Sequence, residues 1–527
     1  MQNTRLHDTT RLLRSGLTAA LIIMLLSPLF FPSAAAAQTA SAGYRAFSFP
    51  AGTGVDDAPT GEKPESKLWW VDGFWYGSLW SRGADAYTIH RFNPASQSWT
   101  DTGVRIDDRL GSKADALWDG TRLFIVSHLF VENNAGPNDS GGRLYVYSYN
   151  SSTRTFSLNS GFPVEVNNAI TETLVVDKDS SGQLWITYVE GNRVMVNRST
   201  SSDYRTWGTP FALPAGGMEN VTADDISSLI TYNNYVGVMW SRQTNPRTIF
   251  FAVHAVGAAD TSWSHIRSYT VSGDDHINLK SLQSDDAGNL FAVVKTEVNS
   301  ALIVVLVCRS ANCQSESDWS PYIVYDSVAY NPTRPMMVID ESNRHLYVFT
   351  RNEPSGSGRG GIYYKRADLD KIAFDPGALG TPFINNSDDT EVNDPTGSKH
   401  NVNAATGLLI LASDHRTNYY LHNYISLGST APPGSYSLNI AAQGSGTVSM
   451  SPSLGSYLPG TQVTLTAHPA SGWVFSGWQG DLSGSTNPAS LTMDGNKAVL
   501  ALFYQPNGGG SYKNYIPAVV NNAGTGP

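Results

Sequence analysis

One pattern governs the chain between Glu65 and Leu427. An apolar strand, a polar turn and a second apolar strand recur, at steps of about 50–60 residues. The unit reads Lys67-Leu-Trp-Trp-Val-Asp-Gly-Phe-Trp-Tyr76, then Ala116-Leu-Trp-Asp-Gly-Thr-Arg-Leu-Phe-Ile-Val126, then Thr173 to Thr187. Later copies run from Ile226 to Trp240, Leu279 to Val294, Pro335 to Phe349 and Asn401 to Ala412. Trp75, Phe124, Trp185, Gly237, Phe291, Tyr347 and Leu409 occupy equivalent places. Further strand candidates follow within a unit, such as Arg143 to Tyr149, Ile249 to His254 and Gly361 to Lys365. An all-β chain that repeats in this way is expected to form a β-propeller, one four-stranded blade per repeat. That gives seven blades, with six or eight left open because blade edges are blurred. A pair of β-sandwiches would not require so regular a spacing. Composition agrees: aromatics are 11%, Gly 48 and Pro 27, while charged residues are only 15%, against a usual value of about a quarter. This suits many short buried strands joined by turns.

The flanks differ from the repeats. Residues 1–16 carry Arg5, Arg11 and Arg14, residues 17–31 are almost wholly apolar, and Ala34-Ala-Ala-Ala37 precedes Gln38. A basic start, a short apolar core and a small-residue site make up a secretory signal, so 1–37 is read as one, cleaved after Ala37. Spanning a bilayer takes about 20 apolar residues, and Pro28 shortens the helix available. No transmembrane span is expected after cleavage, and the chain is expected to be secreted or held at the cell surface. A polar lead (38–64), the propeller (65–427), a Pro/Gly linker (428–435), a small β unit (436–503) and a Gly-rich tail (504–527) follow. The net charge of −10 and the lack of a basic stripe argue against electrostatic binding of nucleic acid, and none is expected. Cys308 and Cys313 are the two cysteines. In an oxidising compartment they are expected to form a local disulfide, with free thiols the alternative.

The small unit carries Gly444-Ser-Gly-Thr-Val448, Ser451-Pro452, Tyr457, Gly460-Thr461, Val463-Thr-Leu-Thr-Ala467, Gly472-Trp473, Phe475-Ser-Gly-Trp-Gln-Gly480 and Met493-Asp494. This closely resembles the divergent internalin-type B-repeat, and the resemblance implies a stalk or spacer on a displayed protein. Trp473, Phe475 and Trp478 are expected to pack its core rather than to offer sugar platforms. The main region resembles secreted bacterial propellers of unassigned activity. The residues that carry it are Ser66-Lys-Leu-Trp69, Glu172-Thr-Leu-Val-Val-Asp177, Asp224-Asp-Ile-Ser-Ser-Leu229, Asp274-Asp-His-Ile-Asn-Leu-Lys280, Thr333-Arg-Pro335 and Ser398-Lys-His-Asn-Val402. A looser resemblance is to sialidases, on one Asp-box, Ser284-Asp-Asp-Ala-Gly-Asn-Leu-Phe291. No arginine triad accompanies it, and the box is read as hairpin chemistry.

In a propeller the first strand of each blade lines the central channel. Each repeat opens on polar residues, and these are the ligand-binding candidates: Lys67, Lys113, Asp275, His276, Lys280, Arg334, Lys399 and His400. If the blades superpose, they meet at one rim. The expected function is binding of an extracellular glycan, another polar ligand or a cell-surface component at the central mouth. The alternative is a carbohydrate-active enzyme at the same rim, with His276, Lys280, Arg334, Glu172 and Asp225 as catalytic candidates. A lyase would use Arg334 or Lys280 against a uronate and His276 or His400 as base. A glycosidase would use two carboxylates among Glu172, Asp225 and Asp275, about 5–9 Å apart. A structural envelope protein is the third reading. Trp69 and Trp118 are expected in the core. No cofactor is expected, and no metal site is assigned, although His276 with His400 is conceivable as a ligand pair. Calcium stays open at the acidic loop Ser387-Asp-Asp-Thr-Glu-Val-Asn-Asp394, which lacks regular ligand spacing.

Overall fold

Ile303–Cys308 and Leu408–Asp414 are buried along their whole length. A strand buried on both faces needs a covering layer on each side, and here neighbouring sheets supply it. In the computed structural model seven antiparallel sheets of four or more strands follow one another along the chain. The described residues are 42–506, apart from 51–57, 62–63, 95, 132–135, 138–140, 245–246, 271–277, 327, 355–357, 428–435, 437, 452–456, 458–459 and 495–496. Residues 1–37, read above as a signal, and Asp275, His276, the linker and residues 507–527 of the tail lie outside them.

The protein is all-β, a seven-bladed propeller followed by a small β module. Blade 1 runs Leu68–Val71, Phe74–Ser81, Ala86–Asn93, Ser98–Arg105. Blades 2 to 6 begin at Ser112–Trp118, Leu174–Lys178, Ser227–Tyr232, Asn278–Ser284 and Thr333–Asp340, and blade 7 at Val392–Thr396. These first strands contact one another around the ring. Apolar clusters fill the seams. Trp69, Trp80, Ile125 and Tyr145 join blades 1 and 2, and Leu282, Leu290, Phe251 and Trp319 join blades 4 and 5. Outermost strands such as Ser98–Arg105 face water and are mostly polar.

Blade 7 lacks a fourth strand from its own repeat. Tyr44–Ser48 supplies it, antiparallel to Tyr419–Ile425. The reading of 38–64 as a plain polar lead is corrected here. Five residues with two exposed ones, Tyr44 and Arg45, carry no periodic signal. At the inner edge Leu68 N donates to Gly397 O at 3.2 Å, linking blades 1 and 7. Cys308 and Cys313 are joined by a disulfide at the end of a blade 5 strand.

The C-terminal module has two three-stranded sheets. One pairs Leu438–Gln443 in parallel with Lys497–Tyr504, which also pairs with Val474–Gly480. The other holds Gly446–Ser451, Gln462–Pro469 and Ala489–Thr492. Val463, Leu465, Trp478 and Met493 fill its core, with Trp473 and Phe475 packed against it. Among the described residues no helix is long and apolar enough to cross a membrane.

Candidate functional site

The first strands are apolar with polar interruptions, and the interruptions converge at the ring's centre. A cavity of about 240 Å³ is lined there by Asp177 of blade 3, Ser228 and Thr231 of blade 4, Ser281, Gln283 and Asp286 of blade 5, and Lys399, His400 and Asn401 of blade 7. Most of these residues stand at or just beyond the ends of their first strands. Asp177 Oδ2 accepts from Thr231 N at 2.8 Å and from its Oγ1 at 3.1 Å. Asn401 Nδ2 donates to Ser284 O at 2.7 Å and to Glu341 Oε1 at 2.6 Å. Glu341 Oε1 also accepts from Asp286 N at 3.0 Å. Burial, and then the Asp286 carboxylate, push the Glu341 carboxyl above its usual pKa against these two hydrogen bonds. His400 is exposed, yet the surrounding blades withdraw enough water to lower its pKa, with Asp177 acting the other way.

Next to the cavity, side chains bond across the ring between blades that are not neighbours. Lys399 Nζ donates to Asp115 Oδ2 of blade 2 and to Val176 O of blade 3. Asp115 also accepts from Ser66 N at 2.8 Å and Val176 N at 2.9 Å. Gln283 Nε2 of blade 5 donates to Ser398 O at 3.2 Å. Glu65, entering blade 1, accepts from Lys67 Nζ at 2.8 Å, His128 Nε2 at 2.6 Å and Leu174 N at 2.9 Å. Burial opposes the Glu65 charge, but Lys67 and His128 outweigh it and hold the carboxyl far below the usual range.

Of the candidate site residues that lie among the described residues, only Lys399 and His400 line the cavity. Lys67 is buried, paired with Glu65, and donates to Ala114 O at 2.6 Å. Lys113 is buried and donates to Ala58 O at 2.6 Å. Lys280 is buried within its strand, and Glu172 is buried just ahead of blade 3. Asp225 accepts from Thr222 N at 2.7 Å and Gln243 N at 2.9 Å, and burial raises its pKa to about 6. Arg334 Nη1 stands 3.5 Å from Asp394 Oδ1.

The single rim expected from sequence therefore divides, and the reason is phase. Lys113, Glu172, Asp225 and Arg334 sit at or ahead of strand beginnings. In blade 7 that place belongs to Asp394, because the first strand is Val392–Thr396. Lys399 and His400 follow that strand. At the strand beginnings, residues 58–61 of the lead are in place. Thr60 is fully buried, its hydroxyl bonds that of Ser413 at 2.8 Å, and Gly61 lies close to both Lys113 and Asp394. Asp177, Ser228, Thr231, Ser281, Gln283, Asn401 and Glu341 were not selected from sequence. Their signal was a polar side chain inside an otherwise apolar first strand, or just after it.

Residues 436–507 match the divergent InlB B-repeat domain. The matched segment follows the last propeller strand, Tyr419–Ile425. No curated protein matches the chain. Among solved structures, the BP39L lectin from Burkholderia pseudomallei is 11% identical over 70% of this chain and 98% of its own, with a TM-score of 0.46. Penicillium chrysogenum alpha-L-arabinanase, solved with arabinobiose, is 13% identical over 63% of this chain and 99% of its own, with a TM-score of 0.37. A Dyadobacter fermentans protein of unknown function is 10% identical over 58% and 91%, with a TM-score of 0.38. The propeller assignment rests on the seven sheets themselves.

Two smaller features have local explanations. In the acidic loop, Asp389 is held by Arg45 Nε at 3.1 Å and Nη2 at 2.7 Å. In the Asp-box segment the buried Asp285, rather than Asp286, makes the turn, accepting from Ala287 N at 3.1 Å and Asn289 N at 2.9 Å.

Proposed function

We propose that the protein is exported and binds an extracellular glycan in the central cavity, with the B-repeat acting as a spacer. The supporting observation is the cavity wall, built from short polar side chains of blades 3, 4, 5 and 7. A sugar offers hydroxyls that both donate and accept. Asp177 accepts, Asn401 accepts through Oδ1 because its Nδ2 already donates to Ser284 O and Glu341 Oε1, Gln283 offers both a donor and an acceptor, and Ser228, Thr231 and Ser281 adapt by rotation. Export is supported by the basic, apolar and small-residue segments of 1–37 and by the Cys308–Cys313 disulfide. A glycan array on the purified protein tests binding, followed by calorimetry on the best ligand. Asp177→Asn and His400→Ala should each weaken binding at least tenfold, and His400→Ala should leave the melting temperature unchanged. Unchanged affinity in both variants would refute the cavity as the site.

A glycosidase is the second reading, and one observation favours it. Burial and the neighbouring Asp286 carboxylate raise the pKa of the Glu341 carboxyl, the direction a general acid needs. Product analysis on the same glycans separates the readings. Sugar release that disappears in Glu341→Gln while binding persists selects the enzyme, and binding without any product selects the lectin.

A further inference from the structure

Blade 3 ends in an outermost strand of two residues, Phe211–Ala212, where blades 1, 4 and 5 end in strands of seven or eight. It covers only Met195 and Val196 of the preceding strand, Arg193–Arg198. A cleft of about 480 Å³ lies there, between the Glu165–Asn168 edge of blade 2 and residues 195, 197 and 207–210 of blade 3. Its wall combines one indole, Trp207, with amides and two carboxylates, Glu165 and Glu190, and holds no Lys or Arg.

The parts are fixed in place. Trp207 is half-buried, and its Nε1 donates to Tyr204 O at 3.2 Å, which sets the ring's orientation. Asn197 Nδ2 donates to Val166 O at 2.8 Å and ties the two blades together at the cleft. Asn167 is 6% exposed. Its Oδ1 accepts from Gly142 N at 2.6 Å, so the amide cannot be turned round. That leaves its Nδ2 buried with no partner among the described residues. A buried donor left unmade is a cost that native structures seldom carry without a reason.

We infer that this cleft is a second carbohydrate site, specific for a neutral pentose or hexose unit and independent of the central cavity. A sugar ring has an apolar C–H face, which suits an indole, and an edge of hydroxyls. Glu165 and Glu190 accept hydroxyl protons, and Asn167 Nδ2 donates to a ring or hydroxyl oxygen. Two carboxylates without a cation in the wall repel uronic acids, so the site selects against charged sugars.

The test uses the whole exported chain and neutral pentose and hexose oligosaccharides of two to four units, with uronic-acid oligosaccharides of equal length as the counter-panel. In a His400→Ala background, which removes the contribution of the central cavity, calorimetry should detect binding to at least one neutral oligosaccharide, weakened tenfold or more when Trp207→Ala is added. Uronic-acid ligands should bind at least tenfold more weakly than neutral ones, and Glu190→Gln should narrow that gap. Melting temperatures certify the fold. If Trp207→Ala does not fold, Trp207→Phe and Glu190→Gln carry the test, each expected to change affinity at least threefold. The inference is overturned if no neutral oligosaccharide binds, if uronates bind better, or if binding survives the Trp207 variants and is lost in His400→Ala. That last outcome leaves the central-cavity reading standing.

Discussion

Glu65 shows how strongly a single side chain can be committed at the centre of the ring. Its carboxylate takes three hydrogen bonds from three blades, and Lys67 beside it is only 2% exposed. Glu65→Gln leaves the Lys67 ammonium buried without its counter-charge, which typically costs about 3–5 kcal/mol. Denaturant unfolding at pH 7 measures it. The folded-state pKa of Glu65 lies below its unfolded value, so its contribution is present above pH 4.5 and fades as pH falls further. Asp225 has the opposite sign. Burial raises it from 3.8 to about 6 against the hydrogen bonds from Thr222 and Gln243. The folded state therefore favours the protonated acid, and this contribution is lost as pH rises through about 6. A shift of that size is worth about 3 kcal/mol. Asp225→Asn should gain roughly that much on the wild type between pH 4 and pH 7, and parallel stability profiles for the two proteins would contradict the assignment.

At the scale of elements, hairpins between first and second strands repeat one device. Asp179 Oδ1 accepts from Ser181 N at 2.9 Å and Gln183 N at 3.0 Å, and Asp285 does the same with Ala287 and Asn289. Gly182 and Gly288 follow three residues later with φ of +90° and +78°, a conformation glycine adopts without strain. Trp185 then packs on the turn it follows. Its Nε1 donates to Asp179 Oδ2 at 2.8 Å, and the side chain is 2% exposed. Trp185→Ala should destabilise by about 3–5 kcal/mol in a denaturant melt, because both the packing and the anchoring bond are lost. Such turns, with apolar runs on either side, made the blades legible in the sequence. The cavity was less legible for two reasons. Ser228, Ser281 and Gln283 sit in strands where a polar residue equally signals a solvent face. In blade 7 the first strand, Val392–Thr396, also ends ahead of Lys399 and His400, which lie in the long connection to Leu408–Asp414.

On the scale of the whole molecule, a seven-bladed ring must join its ends, and no covalent bond does so. Tyr44–Ser48 makes the join by pairing with Tyr419–Ile425. Arg45 adds the ion pair to Asp389 and lies 4.3 Å from the centre of the Tyr419 ring. The segment also grips blade 1. Phe47 stacks on His90 at 4.9 Å, and Arg82 Nη2 donates to Phe49 O at 2.6 Å. Phe49 itself is fully buried in the cluster that joins blades 6, 7 and 1. Deleting residues 42–49 should therefore do more than shorten a tail. It empties the Phe49 site and bares the edge of Tyr419–Ile425, and an unpaired edge is a template for association. The expected result is a lower melting temperature with concentration-dependent aggregation on heating. Phe49→Ala, which keeps the strand, isolates the packing part at about 3–5 kcal/mol. If the truncated chain melts like the intact one, the inner contact of Leu68 with Gly397 is sufficient to close the ring, and the N-terminal strand is only a cover.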